Sequence, residues 1–431
     1  MKIAALALAS ALVLSPCAAS TDALPVFREA LVASGVDDPA ERARLEEGFR
    51  RVVSDLSVKL ENVRSPYRRA RRLHDLLHAT TLRRYQASAD GLQAILDRGE
   101  YNCVSATLFY GMVARALDLP AVVVASPRHV HLRLELGARP VDVECTSAGG
   151  FDVERNLAGF VRFVLAYKLA TPAEIESRTP QQIFEEFHEL ATPVSLERGI
   201  AFIWHNAAQR ALERQDALAA ARALREEYRL DPDTTRASES APWCLARAFR
   251  IEYEAGRFDG AYEIAKLDTD IYPGRTTPKD RLLAAAIKRI ELACDRGDAA
   301  AAESILDEVK EISDAAETSR LEREACPRIA SAAVLLGDWE RADRMVLRFL
   351  IAEPDAVESA RLAGWVAARR ELGTAALPGT IDALSRIGAS TDLMSSFLDS
   401  SSPFPLASPA GPMRRGRASR PAPGEGAPPA P

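Results

Sequence analysis

Gly99-Glu100-Tyr101-Asn102-Cys103-Val104-Ser105-Ala106-Thr107 is the stretch whose reading decides the fold. Asn102 is a favoured helix N-cap residue, which places Cys103 in the first turn of a helix. From Val104 the apolar residues Leu108, Phe109, Met112, Val113, Ala116 and Leu117 recur at helical spacing, and Pro120 follows. Unpaired first-turn N–H groups and the helix dipole favour an anion there. The position therefore predicts a thiol of lowered pKa, and the thiolate is the nucleophilic form.

Working outward, Ala121 to Val124 is a short β-branched run with the character of a buried strand. His129 to Leu136 alternates strictly: His129, His131, Arg133 and Glu135 on one face, Val130, Leu132, Leu134 and Leu136 on the other. Period two is the mark of a half-buried strand. Gly137 to Pro140 supplies turn chemistry. A further alternating run sets Asp142, Glu144 and Thr146 against Val141, Val143 and Cys145. Folded as a hairpin, these strands bring a histidine and a carboxylate together on one face. A cysteine at a helix start, a histidine on a strand and an acid on its neighbour form a nucleophile–base–orienter set.

At these residues the chain resembles the transglutaminase-like superfamily, with its papain-type catalytic core, and most closely the bacterial branches that join such a domain to tetratricopeptide-like helices. The resemblance rests on Tyr101 to Thr107, Ala114 to Pro120, Pro127-Arg128-His129 and Val143-Glu144-Cys145-Thr146, and covers roughly residues 60–155. It implies Cys103 as nucleophile, His129 as base and Glu144 as orienting acid. Glu144-Cys145-Thr146 replaces the family's usual Asp-Pro-Thr. His131 shares the face of His129 and is the alternative base; Asp142 is the alternative acid.

The chain has 431 residues, 47% hydrophobic and 27% charged, which is room for two or three globular domains. A net charge of -6 gives no reason to expect nucleic-acid binding. No internal apolar run reaches the roughly 18 residues of a spanning helix. Lys2, the apolar run Ile3 to Leu14 and Ser15-Pro16-Cys17-Ala18-Ala19-Ser20 make a signal-peptide pattern over residues 1–20, with cleavage near 19–20 and export to the periplasm or the medium. A lipoprotein site at Cys17 fits less well, because proline precedes that cysteine. Cys103, Cys145, Cys244, Cys294 and Cys326 then remain, and an odd count points to at least one free thiol.

Residues 25–60 read as helix interrupted at Pro39, residues 66–85 as an arginine-rich helix, and residues 157–190 as helices broken at Pro172 and Pro180. His74-Asp75-Leu76-Leu77-His78 has metal-ligand spacing, but Asp75 stands where that motif carries Glu and no third ligand is evident. His188 and His205 have no partner pattern. No metal or cofactor set is read from the sequence.

The second half repeats. Gln215-Asp216, Gly256-Arg257, Gly297-Asp298 and Gly337-Asp338 recur at intervals of 41, 41 and 40, each followed by an alanine: Ala220, Ala261, Ala302, Ala342. Pro232, Pro273 and Pro354 close three of the units. A turn, a small residue where helices touch and a terminating proline describe helix-turn-helix repeats, tetratricopeptide-like in pattern, stacked as a solenoid that binds a protein or peptide. Residues 400–431 are rich in Ser, Pro, Ala, Gly and Arg and cannot bury a core.

The expected fold is thus α+β: a papain/transglutaminase-like domain over residues 21–195, a tetratricopeptide-like all-α solenoid over 196–375 and a disordered tail over 376–431. The expected function is an exported thiol enzyme acting on amide bonds of a peptide or protein substrate, as peptidase, amidase or amine transferase. The alternative is a non-catalytic interaction scaffold that uses the helical repeats.

Overall fold

A computed structural model describes residues 23–126, 129–137, 139–189, 191–233, 239–353 and 357–374. The signal-peptide reading, Cys17, Pro127-Arg128 and the tail reading all lie outside the described residues. The described chain is mostly helical with a small antiparallel sheet, an α+β arrangement. Contacts divide it into two compact units, one up to Cys244 and one from Leu245.

In the first unit, α1 (Ala23–Ala33) and α2 (Pro39–Leu60) are separated by a turn, with Asp38 capping α2 and Pro39 in its first turn. Ser65 caps α3 (Pro66–Thr80), likewise with proline in the first turn. The helix read over 66–85 ends at Thr80, because Arg84–Tyr85 (β1) leaves it to pair in parallel with Glu100–Tyr101 (β2). Between them runs α4 (Leu92–Arg98), stopped by Gly99 at φ 69°. A Cβ on Gly99 would lie 2.9 Å from the Thr81 carbonyl oxygen, so the left-handed turn and the close approach both require glycine.

The central helix α5 (Cys103–Ala116) is buried along nearly its whole length and packs on the sheet. That sheet has the order β5-β4-β3-β6, from β3 (Ala121–Ser126), β4 (His129–Glu135), β5 (Pro140–Val143) and β6 (Thr192–Val194), all neighbours antiparallel. Strand β6 is absent from the sequence reading; it is short, carries Pro193 and forms the sheet edge, where a missing N–H costs least. Val130, Leu132, Leu134, Val141 and Val143 bury one face against α5, as the alternation predicts.

After β5 come a 3-10 turn (Val153–Asn156), α6 (Leu157–Ala166), α7 (Pro172–Ile175) and α8 (Pro180–Glu189). Phe160, Phe163, Val164 and Ile183 form a satellite core of their own, joined by Phe184 and Phe187.

The first unit continues beyond residue 195 through α9 (Leu196–Gly199), α10 (Ala201–Glu213) and α11 (Ala217–Leu230). Leu196, Ile200, Phe202 and Ile203 belong to the same core as α5. A Cβ on Gly111 of α5 would lie 2.4 Å from Leu196 Cδ2, so glycine is what lets α5 and α9 approach. The segment read as the first repeat thus shares a core with the sheet. Leu196→Ala in the full chain should cost about 3 kcal/mol of stability. Denaturant unfolding followed by tyrosine and tryptophan fluorescence measures it, and an unchanged midpoint would show that this packing contributes nothing.

Helix α12 (Ala241–Glu254) spans the division between the units. The second unit holds α13 (Phe258–Ile271), α14 (Thr276–Asp295), α15 (Ala299–Ile312), α16 (Ala315–Leu335), α17 (Trp339–Ala352) and α18 (Val357–Thr374). The repeated turns have one geometry: Gln215, Gly256, Gly297 and Gly337 sit at φ 61°, 71°, 72° and 72°. The four repeat alanines are fully buried. No helix among the described residues is long and apolar enough to cross a membrane.

Candidate active site

Asn102 caps α5 reciprocally. The Ser105 N–H donates to Asn102 Oδ1 at 3.0 Å, and the Asn102 N–H donates to Ser105 Oγ at 3.0 Å. The Asn102 amide also donates to the Ala87 carbonyl, and Ser105 Oγ to that of Ala89. These bonds tie the helix start to the preceding loop and hold Cys103, the first helical residue, partly exposed.

His129 opens β4, and its Nε2 lies 2.6 Å from Glu144 Oε2. Burial alone pushes the imidazole pKa down. The Glu144 charge, hydrogen bonds to Cys103 and Glu144, and the Cys103 charge outweigh it and raise the value to about 10. With Nε2 committed to the carboxylate, Nδ1 is the ring nitrogen left for the thiol. Burial would raise the Glu144 carboxyl, but His129 and Thr146 together hold it below its ordinary range. The structure therefore joins Cys103, His129 and Glu144 in one hydrogen-bonded chain.

Glu144 follows the last residue of β5 and is fastened on its other side too. Thr146 donates to Oε1 from Oγ1 at 2.6 Å and from its N–H at 3.2 Å. The Thr146 carbonyl in turn accepts from the hydroxyls of Tyr101 and Tyr167. A Cβ on Gly150 would lie 2.2 Å from the Glu144 carbonyl oxygen, so the loop closes on the acid only because residue 150 is glycine. Thr146, which alternation puts merely on the same face, thus takes the place of a positioning residue.

The second acid is elsewhere. Arg133 stands opposite Asp142 in the strand register and donates to it twice, at 2.7 and 2.9 Å. His131 Nε2 is 3.7 Å from Asp142 Oδ1, and His188 Nε2 is 3.5 Å from Asp142 Oδ2. Burial would raise the Asp142 carboxyl; His131 and Arg133 hold it well below the usual carboxylate range. His129 and Glu144 are thus one pair and His131 and Asp142 another, along parallel diagonals of the hairpin.

His74 and His78 face each other at a ring-centroid separation of 4.6 Å. Among the described residues no third ligand joins them. His74 Nε2 donates to the Ala148 carbonyl at 3.1 Å and so anchors the loop behind Glu144, while burial holds its pKa down at about 4. His205, on α10, pairs with Glu227 at 3.0 Å. His188 is the site residue that sequence reading missed, since α8 is brought to the sheet from 46 residues beyond Asp142 and no spacing links them.

Around the triad, Tyr85 and Tyr167 meet edge to face at 4.7 Å, and burial followed by the Cys103 charge pushes the Tyr85 hydroxyl pKa up. Phe163 and Phe187 lie 5.3 and 6.4 Å from the His129 ring. His129 and Glu144 are each only 3% exposed, so the approach to the site is from the Cys103 side. No family model matches the chain, and no curated protein matches it.

Proposed function

We propose that this chain is an exported thiol enzyme of transglutaminase-like type that acts on amide bonds. The observation that carries the reading is the chain from Cys103, at the first position of α5, through His129 to Glu144 at 2.6 Å. The Cys103 thiolate attacks the carbonyl carbon of a carboxamide or peptide. The C–N bond breaks as the imidazolium of His129 protonates the leaving amine, and a thioester forms on Cys103. Water or an amine then attacks the thioester, His129 takes the proton of that nucleophile, and the thiolate is released. The Cys103 backbone N–H, at the helix start, serves as the oxyanion donor.

The N-terminal signal pattern supports export, and the equivalent turns at Gln215, Gly256, Gly297 and Gly337 support a tetratricopeptide-like array that recruits a protein partner or substrate. The burial of His129 and Glu144 supports the other reading, a non-catalytic scaffold built on the same fold.

Assay against fluorescent peptides, cell-wall peptides included, with and without an added amine, separates the two. Turnover that disappears in Cys103→Ala supports the enzyme; turnover retained in Cys103→Ala overturns the assignment. Glu144→Gln should lower turnover on the order of 100-fold or more, with the smaller loss in Asp142→Asn. The reverse order would make Asp142 the orienting acid.

A further inference from the structure

We propose that His131, Asp142 and His188 form a binding site for a divalent transition-metal ion of the zinc class, which ties α8 to the β4–β5 hairpin. The site is distinct from the thiol triad and does not depend on the enzyme reading.

The three donors converge from separate elements. One donor atom from each of His131, His188 and Asp142 lies within 4.8 Å of the other two, and both histidines turn Nε2 to the carboxylate, at 3.7 and 3.5 Å. A tetrahedral site with bonds of about 2.0–2.1 Å needs donors roughly 3.3 Å apart, so an ion draws them together by about 1.5 Å or less. The His131 and His188 Nε2 atoms are both buried and have no hydrogen-bond partner. The His131 side chain is only 7% exposed. Two orphaned imidazole nitrogens aimed at one carboxylate call for an electrophile between them.

The tautomer of His188 points the same way. Its Nδ1 lies 2.7 Å from the Phe184 carbonyl oxygen, which only accepts, so the proton is on Nδ1 and Nε2 presents a lone pair. This is the outer hydrogen bond that orients a metal-binding histidine. Arg133 plays the corresponding part for Asp142, holding both oxygens while each keeps a further lone pair. Two imidazoles and a carboxylate suit zinc, with cobalt or nickel as alternatives, and leave a fourth position for water.

The ion has a mechanical consequence. Helix α8 carries Phe184 and Phe187 in the satellite core, and Phe187 lies beside the His129 ring. Its aromatic residues pack in that core and His188, near its C-terminal end, reaches Asp142. A bound ion therefore latches the aromatic cover over the buried end of the triad.

The test uses the full chain, stripped with chelator and titrated with zinc alone in a calorimeter. One zinc per chain is expected, with affinity lowered at least about tenfold in His188→Ala and in Asp142→Asn and retained in Cys103→Ala. His188→Cys should keep the ion, which separates loss of a ligand from loss of folding; circular dichroism checks the fold of each variant. Zinc should also slow tryptic cleavage after Lys168 and Arg178, which flank α7, in the parent and not in His188→Ala. No zinc binding by the folded parent overturns the site. Binding lost in Cys103→Ala and unchanged in His188→Ala overturns it as well, by moving the ion to the triad.

Discussion

At pH 6, iodoacetamide should modify Cys103 about tenfold faster than an ordinary thiol and leave the other described cysteines untouched. Near pH 6 an ordinary thiol of pKa about 8.5 is well under 1% ionised, whereas a thiol paired with an imidazolium at a helix start is largely thiolate. The gain in thiolate is of order 100-fold, and the lower nucleophilicity of a more acidic thiol takes back roughly tenfold of it. The contrast is sharpened by the other cysteines. Burial pushes the Cys145 thiol well above its ordinary value, that of Cys294 up to about 11 and that of Cys326 up to about 12, while Cys244 is fully buried. His129→Ala should bring Cys103 back to the ordinary rate, and His131→Ala should change it less. Peptide mapping by mass spectrometry reads both. A Cys103 no faster than free thiol in the folded protein would sink the catalytic reading and leave the scaffold.

Glu144→Ala should destabilise the first unit by about 3–5 kcal/mol, because it strands a buried imidazole that the structure holds charged. Two Thr146 donors lose their acceptor at the same time. Glu144→Gln keeps an acceptor for Thr146 and should cost less. Gly150→Ala, which forces the backbone off the Glu144 carbonyl, should cost about 1–3 kcal/mol and slow Cys103 labelling by displacing the acid. Chemical denaturation of the three variants gives the ranking. A Glu144→Ala protein as stable as the parent would mean that the pair is not the buried, charged one described.

The features that the sequence determined by itself are those whose causes lie within a few residues. Asn102 and Ser105 are three apart and cap one helix, so the placement of Cys103 was legible. Strict alternation separated His129 and His131 from Val130 and Leu132, because successive side chains leave a strand on opposite faces. The left-handed turns at Gln215, Gly256, Gly297 and Gly337 recur because each unit repeats the same local requirement. What only the tertiary structure decided depends on register, twist and distant chain. Alternation puts His129, His131, Asp142 and Glu144 on one face, but pairing follows the diagonals of a twisted hairpin, which separate His129–Glu144 from His131–Asp142. Leu196 of α9 joins the core of α5 through the space left by Gly111, with Ile200 just beyond α9 in the same core, a contact invisible to helical periodicity. His188 reaches Asp142 only because the aromatic residues of α6 and α8 pack together and set α8 over the sheet, and no spacing along the chain encodes that packing.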